Sequence, residues 1–584
     1  MTELIHQSLS KLYNQDIPLN LIQVQKTRKE FEGDLTLVVF PLLRTSKKSP
    51  EETANQIGTY LSETIDEIID FNVVKGFLNL SINDTYWLNE FKQVTNQTTY
   101  GYGKRTGETY IVEYSSPNTN KPLHLGHLRN IFLGYAVANI LDASGHDVVK
   151  TQIINDRGIH ICKSMIAWQK FGEGETPQSS GLKGDKLAGK YYVAFDKAYK
   201  KQIDELVSTG LSEEEAKKQA PILLEAQEML RKWEAKDPEV YALWQKMNGW
   251  VYEGFDVTYN TMGVNFDKLY YESDTYLLGK DIVEKGLAEG IFYQKEDQSI
   301  WCDLSDHKMD DKLLLRSDGT SVYMTQDIGT AVERFKDYPS TKGMVYTVGN
   351  EQDHHFKVLF TILKKLGYDF AKNCFHLSYG MVDLPTGKMK SREGTVVDAD
   401  DIMAEITSDA KEMTQERGHL DGLSDEDRNN LYHTIGVGGL KYFLLKVDPK
   451  KRILFDPAES IDLNGNTAPF IQYGYARIQS ILRKEQPTND ITSTGLTPEE
   501  KELITIMLDY PEVIQEAAKS YNPSIVCNYA FDLVKTFNSF YQSTSILGEE
   551  DQAVKNTRLL ITKEVAKTVK SAMDLLGIDV PNQM

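Results

Sequence analysis

The chain has 584 residues, of which 40% are hydrophobic and 26% charged, which is typical of globular proteins. This length exceeds what one hydrophobic core can organise, so we expect three or four domains. The formal net charge of −20 argues against indiscriminate nucleic-acid binding, although a local basic face would still allow a structured RNA partner.

Cysteine usage and hydropathy narrow the class of protein further. The four cysteines are far apart and none forms a Cys-x-x-Cys pair, so we expect neither a structural zinc site nor a disulfide framework. The N-terminus lacks a basic start followed by an apolar run, and no apolar stretch approaches the length of a membrane span. We therefore expect a cytoplasmic protein.

Residues 1–105 are predicted to form a separate α+β module. Two amphipathic helices and two strands are expected, in the chain order Ile5–Leu12, Leu35–Leu43, Glu51–Ile69 and Gly76–Ile82. The segment Lys26–Lys48 carries a modest excess of basic residues, namely Lys26, Arg28, Lys29, Arg44, Lys47 and Lys48. Its role stays open between a solvated face and an RNA contact.

The stretch 109–134 predicts a strand, a loop and a helix. Thr109–Tyr114 is apolar and β-branched, the pattern breaks at Ser115–Asn118, and apolar residues then return at helical spacing. Pro122 is expected near the first turn of the helix, where its missing N–H does no harm. The unpaired N–H groups of such a helix start attract phosphate.

Two histidines mark this helix start. His124 and His127 are three residues apart and share one helical face, and Gly126 between them leaves room for a flat ring against the backbone. Taken alone, the pair could be a locally satisfied structural feature or two zinc ligands. The spacing and the lack of suitable Cys or His neighbours argue against zinc.

The rest of the chain predicts an α/β domain followed by a helical region. The helix after His127 should end near Gly145, and a strand at Val148–Ile154 implies a parallel sheet that binds ligands at the carboxyl ends of its strands. Residues from about 168 to 262 are charged and helix-forming, which predicts a helical insertion. The second half of the sheet domain begins near Tyr270–Asp274, with strands expected at Ser299–Asp303, Met344–Val348 and Phe375–Tyr379 and helices at Thr275–Lys285, Asp327–Phe335 and His354–Leu366. A loop rich in glycine and cations follows at 380–394, and from about 460 the chain is mostly helical.

These motifs resemble one family. His124-Leu-Gly-His127, with Ser115–Pro122 before it and Leu128-Arg-Asn130 after it, resembles the HIGH signature of class I aminoacyl-tRNA synthetases, and specifically that of arginyl-tRNA synthetases. The loop at 380–394 resembles the KMSKS loop of the same class. Residues 322–327, residues 466–480 and the C-terminus are also similar to the family, so the resemblance covers nearly the whole chain.

The resemblance implies a multidomain fold and a reaction. The expected parts are an N-terminal α+β domain at 1–105 that contacts the tRNA, a Rossmann-type α/β catalytic domain at 106–459 with the helical insertion, and an all-α anticodon-binding domain at 460–584. The implied reaction is ATP-dependent ligation of L-arginine to tRNA(Arg) through an arginyl-adenylate, with release of AMP and diphosphate. ATP is expected to enter with Mg²⁺, and we expect no zinc, no metal-ligating residues, no membrane partner and a monomer.

The resemblance also implies roles in ATP chemistry. The expected catalytic residues are His124, His127, Lys121, Lys388 and Lys390, and the expected ATP-binding residues are His124, Gly126, His127, Met381, Val382 and Lys388. The chain departs from the KMSKS pattern because Ser391 stands where the second lysine is expected. Lys121 is the better substitute, since it precedes the helix on a segment held at both ends, and Lys390 is the competing candidate.

Arginine recognition is assigned in the same way. Tyr323 and Asp327 are four residues apart, and they resemble the element that binds the substrate side chain in the family, with Glu113 as a further acidic contact. Asn118, His124 and Gln352 match positions that hold the amino-acid head group. Two alternatives remain open: Asp327 as a helix N-cap, and Glu113 in a strand-end salt bridge. The role of the histidines in Gln352-Asp-His-His355 is also open.

In the C-terminal region, Tyr473, Tyr475 and Arg477 offer stacking faces or a cation to unpaired anticodon bases, although a helical aromatic is more often a core residue.

Three rival interpretations of the function compete with this resemblance. Another class I synthetase would commonly carry zinc ligands or longer insertions, and a small nucleotidyltransferase would be shorter. A non-catalytic RNA-binding paralogue would usually have lost the histidine pair or the cationic loop.

Overall fold

The computed structural model describes residues 1–28, 30–383, 397–417 and 422–584. Most of the predicted KMSKS-like loop, including Lys388, Lys390 and Ser391, lies outside the described residues, as does Lys29. The chain folds into two compact units. The first contains Met1–Tyr100, Ser480–Tyr510 and Lys535–Thr568, and the second contains Gly101–Gln479, Pro511–Val534 and Val569–Met584. Both units combine stretches that are distant in the sequence, and the predicted domain boundaries at about 105 and 460 stay predictions.

The N-terminal residues form a four-stranded antiparallel sheet with helices. The strands are β1 (Gln23–Lys26), β2 (Leu35–Val38), β3 (Ile68–Val74) and β4 (Phe77–Ile82), in the order β1-β2-β4-β3. The helices are α1 (Thr2–Leu12), α2 (Leu43–Ser46), α3 (Pro50–Thr64) and α4 (Asp84–Thr95). The predicted helix Glu51–Ile69 is therefore wrong at its end, because the β-branched run from Ile68 pairs with β4 instead of continuing the helix.

The second unit is built on a five-stranded parallel sheet. Its strands are β5 (Thr109–Glu113), β6 (Asp147–Ile154), β7 (Lys268–Tyr271), β11 (Thr341–Gly349) and β12 (Phe375–Tyr379), in the order β12-β11-β5-β6-β7. The helices beside it are α5 (Leu125–Ala143), α14 (Tyr323–Asp337) and α15 (Asp353–Lys365). The strand order reverses between β5 and β11, and such a switch point opens a ligand crevice at the carboxyl edge.

Two insertions interrupt this sheet. The first is helical, as predicted, and contains α6 (Ile159–Phe171), α7 (Pro177–Ser180), α8 (Gly184–Ser208), α9 (Glu213–Gln219), α10 (Pro221–Glu234) and α11 (Pro238–Met262). The second contains α12 (Glu272–Thr275), α13 (Lys280–Ala288), β8 (Tyr293–Gln294), β9 (Ile300–Cys302) and β10 (Lys312–Leu315). The predicted strand Ser299–Asp303 thus belongs to a small antiparallel sheet, β10-β9-β8, and not to the parallel sheet.

The remaining elements are mostly helices. Two short strands, β13 (Val382–Asp383) and β14 (Ile453–Leu454), pair in parallel. The helices are α16 (Ala399–Arg417), α17 (Asp425–Leu445), α18 (Pro457–Ser460), α19 (Ala468–Lys484), α20 (Pro498–Leu508), α21 (Tyr510–Ser520), α22 (Ser524–Ser543) and α23 (Gln552–Leu575). All four cysteines are free thiols. Among the described helices, none is long and apolar enough to cross a membrane.

Candidate active site

The start of α5 lies directly beyond the carboxyl end of β5. His124 is the N-cap residue, so the helix begins at Leu125, and Pro122 lies close before its first turn. The Gly126 N–H donates to Nδ1 of His124 at 3.1 Å, and the His124 N–H donates to Nδ1 of His127 at 3.1 Å. The two imidazole rings thereby cap the helix and lie with their centroids 3.9 Å apart.

Burial sets the charge of both rings, and the hydrogen bonds set their tautomer. Burial, together with the charge of Lys121, lowers the pKa of His124 to about 4, and burial also lowers the pKa of His127 well below its usual value. Both rings are therefore neutral at neutral pH. Because each Nδ1 accepts a hydrogen bond, each ring carries its proton on Nε2, where it is a donor. A neutral donor pair beside a lysine suits an anionic ligand.

The two polar residues after the signature hold the site together, a role that the sequence did not reveal. The side-chain Oδ1 of Asn130 accepts from the Ser115 N–H at 2.6 Å, and its Nδ2 donates to the Thr347 carbonyl at 2.5 Å. The buried Arg129 guanidinium donates to the carbonyl of Gly380 at 2.8 Å. These bonds fix β5, β11 and the chain before Met381 against one helix. Their signal in the sequence was two polar residues inside an otherwise apolar helix.

Two residues predicted to bind ATP lie at or beside β13: Val382 is its first residue, and Met381 directly precedes it. The carbonyl of Met381 accepts from the Ile453 N–H at 3.0 Å, and that of Asp383 accepts from the Phe455 N–H at 2.9 Å. Successive residues of a strand present their peptide groups to opposite sides, so the N–H and C=O of Val382 face away from β14. The backbone of Val382 is therefore better placed than that of Met381 for edge-on recognition of a base.

The first two turns of α14 present the predicted arginine-binding pair. Tyr323 is the first residue of the helix and is 79% exposed, and Asp327 follows one turn later with 44% of its side chain exposed. Nε2 of His355, near the start of α15, lies 2.6 Å from Oδ2 of Asp327. Because Val322 is the N-cap, Asp327 does not cap the helix and that alternative is excluded. The exposed Gln352 immediately precedes α15.

Glu113 stands in different surroundings. Its carboxylate forms an ion pair with the guanidinium of Arg334, and both side chains are buried. Its second oxygen accepts from the Ser116 hydroxyl at 3.2 Å. The salt bridge that the sequence left open is thus present. Because the Arg334 guanidinium already balances the charge of this carboxylate, the further acidic contact of Glu113 with a substrate guanidinium stays a prediction.

Two further groups complete this edge of the sheet. Asn118 is exposed and its backbone pairs with Asn155 beyond β6. Glu272, which the sequence motifs did not single out, directly follows β7, a position at the carboxyl end of a parallel strand that could have identified it. Burial, with Asp156 and Asp327 nearby, raises the pKa of Glu272 to about 7.

The three residues predicted to meet RNA do not share one environment. Tyr473 is partly exposed, and the Arg477 guanidinium lies 4.9 Å from its ring centroid. Tyr475 is only 6% exposed, so the prediction of an RNA-facing role for Tyr475 does not fit its position in the core. The residues are on one helix, where positions i and i+2 point in different directions.

No group of three or more His, Cys, Asp or Glu side chains with metal-binding geometry occurs in the part of the chain that the structure describes.

A His-x-x-His helix cap at the switch point of a parallel sheet fits the catalytic core of a class I aminoacyl-tRNA synthetase. Residues 91–456 match the family model for the class I (R) tRNA synthetase catalytic domain, residues 471–584 match the DALR anticodon-binding domain, and residues 1–82 match the arginyl-tRNA synthetase N-terminal domain. The chain belongs to the arginyl-tRNA synthetase family. It is an enzyme that attaches arginine to tRNA(Arg) in an ATP-dependent reaction.

Individual relatives agree with this placement. The chain is 57% identical to the arginine–tRNA ligase of Flavobacterium psychrophilum, with all of both chains covered. It is also 57% identical to that of Phocaeicola vulgatus, with 100% of this chain and 99% of the relative covered. The arginyl-tRNA synthetase of Thermus thermophilus shares the fold, with a TM-score of 0.77 at 23% identity over 100% and 99% of the two chains.

Proposed function

We propose that the start of α5 is where adenylate formation takes place. Nε2–H of His124 and Nε2–H of His127 donate to the phosphates of ATP, together with the N–H groups of the helix start, as the arginine carboxylate attacks the α-phosphorus and diphosphate leaves. The observation that carries this proposal is the pair of Nδ1 acceptor bonds, which turns both Nε2 donors away from the helix backbone. A Cβ on Gly126 would lie 3.1 Å from the ring of His124, so the glycine leaves room for that imidazole.

Lys121 is proposed as the cation for the leaving diphosphate. Its charge contributes to the lowered pKa of both histidines, which supports a position close to the same helix start. Lys388 and Lys390 would add charge from the loop at 380–394, most of which lies outside the described residues. Mg²⁺ is proposed to enter with the ATP phosphates, since Mg²⁺ commonly binds through substrate phosphates with few protein ligands.

The arginine pocket is proposed to centre on Asp327. A guanidinium that meets the exposed oxygen of Asp327 would pair with a full carboxylate, while His355 holds the other oxygen and fixes the rotamer. The ring of Tyr323 would cover the guanidinium face. Asn118, His124 and Gln352 are proposed to hold the amino-acid head group, and Glu113 is assigned a supporting part because of its pairing with Arg334.

We further propose that the three predicted domains have the roles that the family resemblance implies. Residues 1–105 would contact the tRNA outside the anticodon, residues 106–459 would carry the chemistry, and residues 460–584 would bind the anticodon with Tyr473 and Arg477 as surface contacts. A monomer is proposed, as the resemblance to the family implies. The cytoplasm is proposed as the compartment, where tRNA is charged for protein synthesis.

ATP–diphosphate exchange, measured for each of the twenty amino acids with and without total tRNA, tests the proposed chemistry. Of the twenty amino acids, only arginine should support exchange. His127→Ala should lower turnover far more than it raises the KM for arginine, because the imidazole interacts with charge that develops at phosphorus in the transition state. Exchange of equal efficiency with another amino acid would contradict the arginine pocket. Near-normal turnover of His127→Ala would place that residue in a structural role.

A further inference from the structure

We propose that Lys183 and Lys186 of the helical insertion are positioning residues, which hold the catalytic His124 through the segment 398–401. This inference rests on the proposed role of His124 in adenylate formation. Neither lysine needs to touch the substrate. The insertion would therefore be part of the catalytic machinery and not only a spacer between the halves of the sheet.

The backbone supplies the first link. The Ala399 N–H donates to the Leu123 carbonyl at 2.9 Å. Asp398 and His124 form an antiparallel bridge. The chain that leads into α16 therefore lies alongside the residue that caps α5. Any shift of residues 398 and 399 moves the backbone of His124, and with it the two hydrogen bonds that aim the imidazoles.

Charged side chains supply the second link. Nζ of Lys186 lies 2.8 Å from Oδ1 of Asp401 and 3.5 Å from Oδ2 of Asp398. Asp398 in turn accepts from the Asp400 N–H at 2.8 Å. One ammonium thus spans both ends of the first turn of α16. Without this ammonium, the carboxylates of Asp398 and Asp401 would lose the cation that both contact.

Lys183 makes the matching contact from the N-cap position of α8. Its Nζ pairs with Asp400, lies 3.3 Å from Oδ2 of Asp185, and donates to the Thr258 hydroxyl. That hydroxyl donates to the other oxygen of Asp400 at 2.9 Å. Asp400 is therefore held from two helices of the insertion, α8 and α11. The two lysines together connect the insertion to every aspartate in residues 398–401.

The start of α8 packs closely against α11. Gly184 packs so closely on α11 that an added Cβ would overlap the Trp250 carbonyl oxygen, and a Cβ on Gly254 would lie 2.5 Å from Oδ1 of the fully buried Asp185. Side chains that extend from such a fixed base give a preorganised contact. Displacement of a catalytic group by about 1 Å can cost on the order of 100-fold in rate, so this support has a kinetic consequence.

Exchange kinetics of Lys186→Met and Lys183→Met test the proposal. Lys186 is 28% exposed, so its replacement should leave a folded protein, whereas loss of Lys183 leaves the buried Asp185 without its cation. Lys186→Met therefore decides the outcome. We expect kcat to fall about tenfold to 100-fold while the KM for arginine changes less than about twofold. Lys186→Arg should recover most of the loss.

Lys201→Met is the matched control. Lys201 lies on the same helix, and its Nζ lies 3.9 Å from Oε1 of Glu205, which is on that helix too. This variant should keep the wild-type kcat. An equal loss in Lys201→Met and Lys186→Met would overturn the proposal, because a general change of charge on α8 would then explain both.

A double-mutant cycle with His124→Ala separates positioning from an independent role. If Lys186 acts through His124, Lys186→Met should have almost no further effect on kcat once His124 is alanine. Additive losses would overturn the positioning role while leaving the function of His124 intact. If His124→Ala alone keeps the wild-type kcat, the proposed function of His124 fails, and the positioning proposal fails with it by a separate and recognisable route.

Discussion

The starts of α5 and α14 lie at the same edge of the parallel sheet, but their side chains suit ligands of opposite charge. The start of α5 presents two neutral imidazole donors beside Lys121, which suits phosphate. The start of α14 presents Asp327, held by His355 with 44% of its side chain exposed, which suits a guanidinium. Between them, Glu113 has the right charge for arginine but a partner of its own in Arg334.

This comparison shows that the partner of a side chain, more than its type, determines whether it can receive a ligand. A buried carboxylate paired with a fixed guanidinium is a structural group. An exposed carboxylate held by one imidazole keeps an oxygen for an incoming cation. Substitutions on the two sides of this contrast should therefore have different consequences.

The largest effect is expected from Glu113→Gln. The substitution leaves the buried guanidinium of Arg334 without a carboxylate, so the free energy of unfolding should fall by about 3–5 kcal/mol in chemical denaturation. Asp327→Asn is the matched control and should change it by less than about 0.5 kcal/mol, since its side chain is largely exposed. Wild-type stability of Glu113→Gln together with a raised KM for arginine would make Glu113 the substrate ligand instead.

Loss of Lys121 should have the next largest effect, on the anion side. Lys121→Ala is expected to lower tRNA-saturated turnover by roughly two to three powers of ten, the scale for one preorganised electrostatic donor. Lys390→Ala should cost much less, because the position of Lys390 in the loop is shifted by one from the expected lysine. A greater loss in Lys390→Ala would return the role to the loop and leave Lys121 as a surface charge.

The neutral histidine pair predicts a particular pH dependence. The unfolded chain binds protons at these histidines near pH ~6.5, whereas native His124 resists protonation down to about pH 4. The unfolded state therefore binds more protons in this window, and stability should decrease with acidification by up to about 1.4 kcal/mol per pH unit for that proton. Denaturation curves of His124→Asn should show a shallower acid limb. An NMR titration that finds an unshifted pKa for His124 would contradict the neutral cap.

The smallest effect concerns RNA. Tyr473→Ala and Arg477→Ala should each raise the KM for tRNA several-fold without changing the KM for ATP or for arginine. The stacking of one base on an aromatic side chain contributes on the order of 1–3 kcal/mol to binding. Tyr475→Phe is the control, because its ring is buried and the substitution keeps its volume. An effect of Tyr475→Phe larger than that of Tyr473→Ala would reverse this assignment.

Sequence patterns predicted the order of elements well and the partners of side chains poorly. The strand, loop and helix at 109–134 followed from periodicity, and the structure ends the strand at Glu113, one residue earlier than predicted. The predicted helix Glu51–Ile69 is wrong at its end, because the segment from Ile68 pairs as a strand with β4 although its pattern is amphipathic. Tyr473 and Tyr475 were grouped by type, although residues two apart on a helix point in different directions and one of the two must face inward.

The pairs that distinguish the two helix starts lie far apart in the chain. Arg334 and Glu113 belong to different halves of the sheet domain, and His355 is a whole element away from Asp327. No local pattern records such pairings. The histidine pair was the exception, because both rings and the backbone that they cap belong to one helix start.

The central claim is that Asp327, and not Glu113, is the carboxylate that recognises the substrate guanidinium. Competitive binding of arginine and citrulline, whose neutral urea group has nearly the same shape, measures this directly. Wild type should prefer arginine, Glu113→Gln should keep that preference, and Asp327→Asn should reduce it by roughly 10-fold to 100-fold, the scale of a charge-assisted hydrogen bond. If Asp327→Asn keeps the wild-type preference and Glu113→Gln loses it, the assignment of the two carboxylates is reversed.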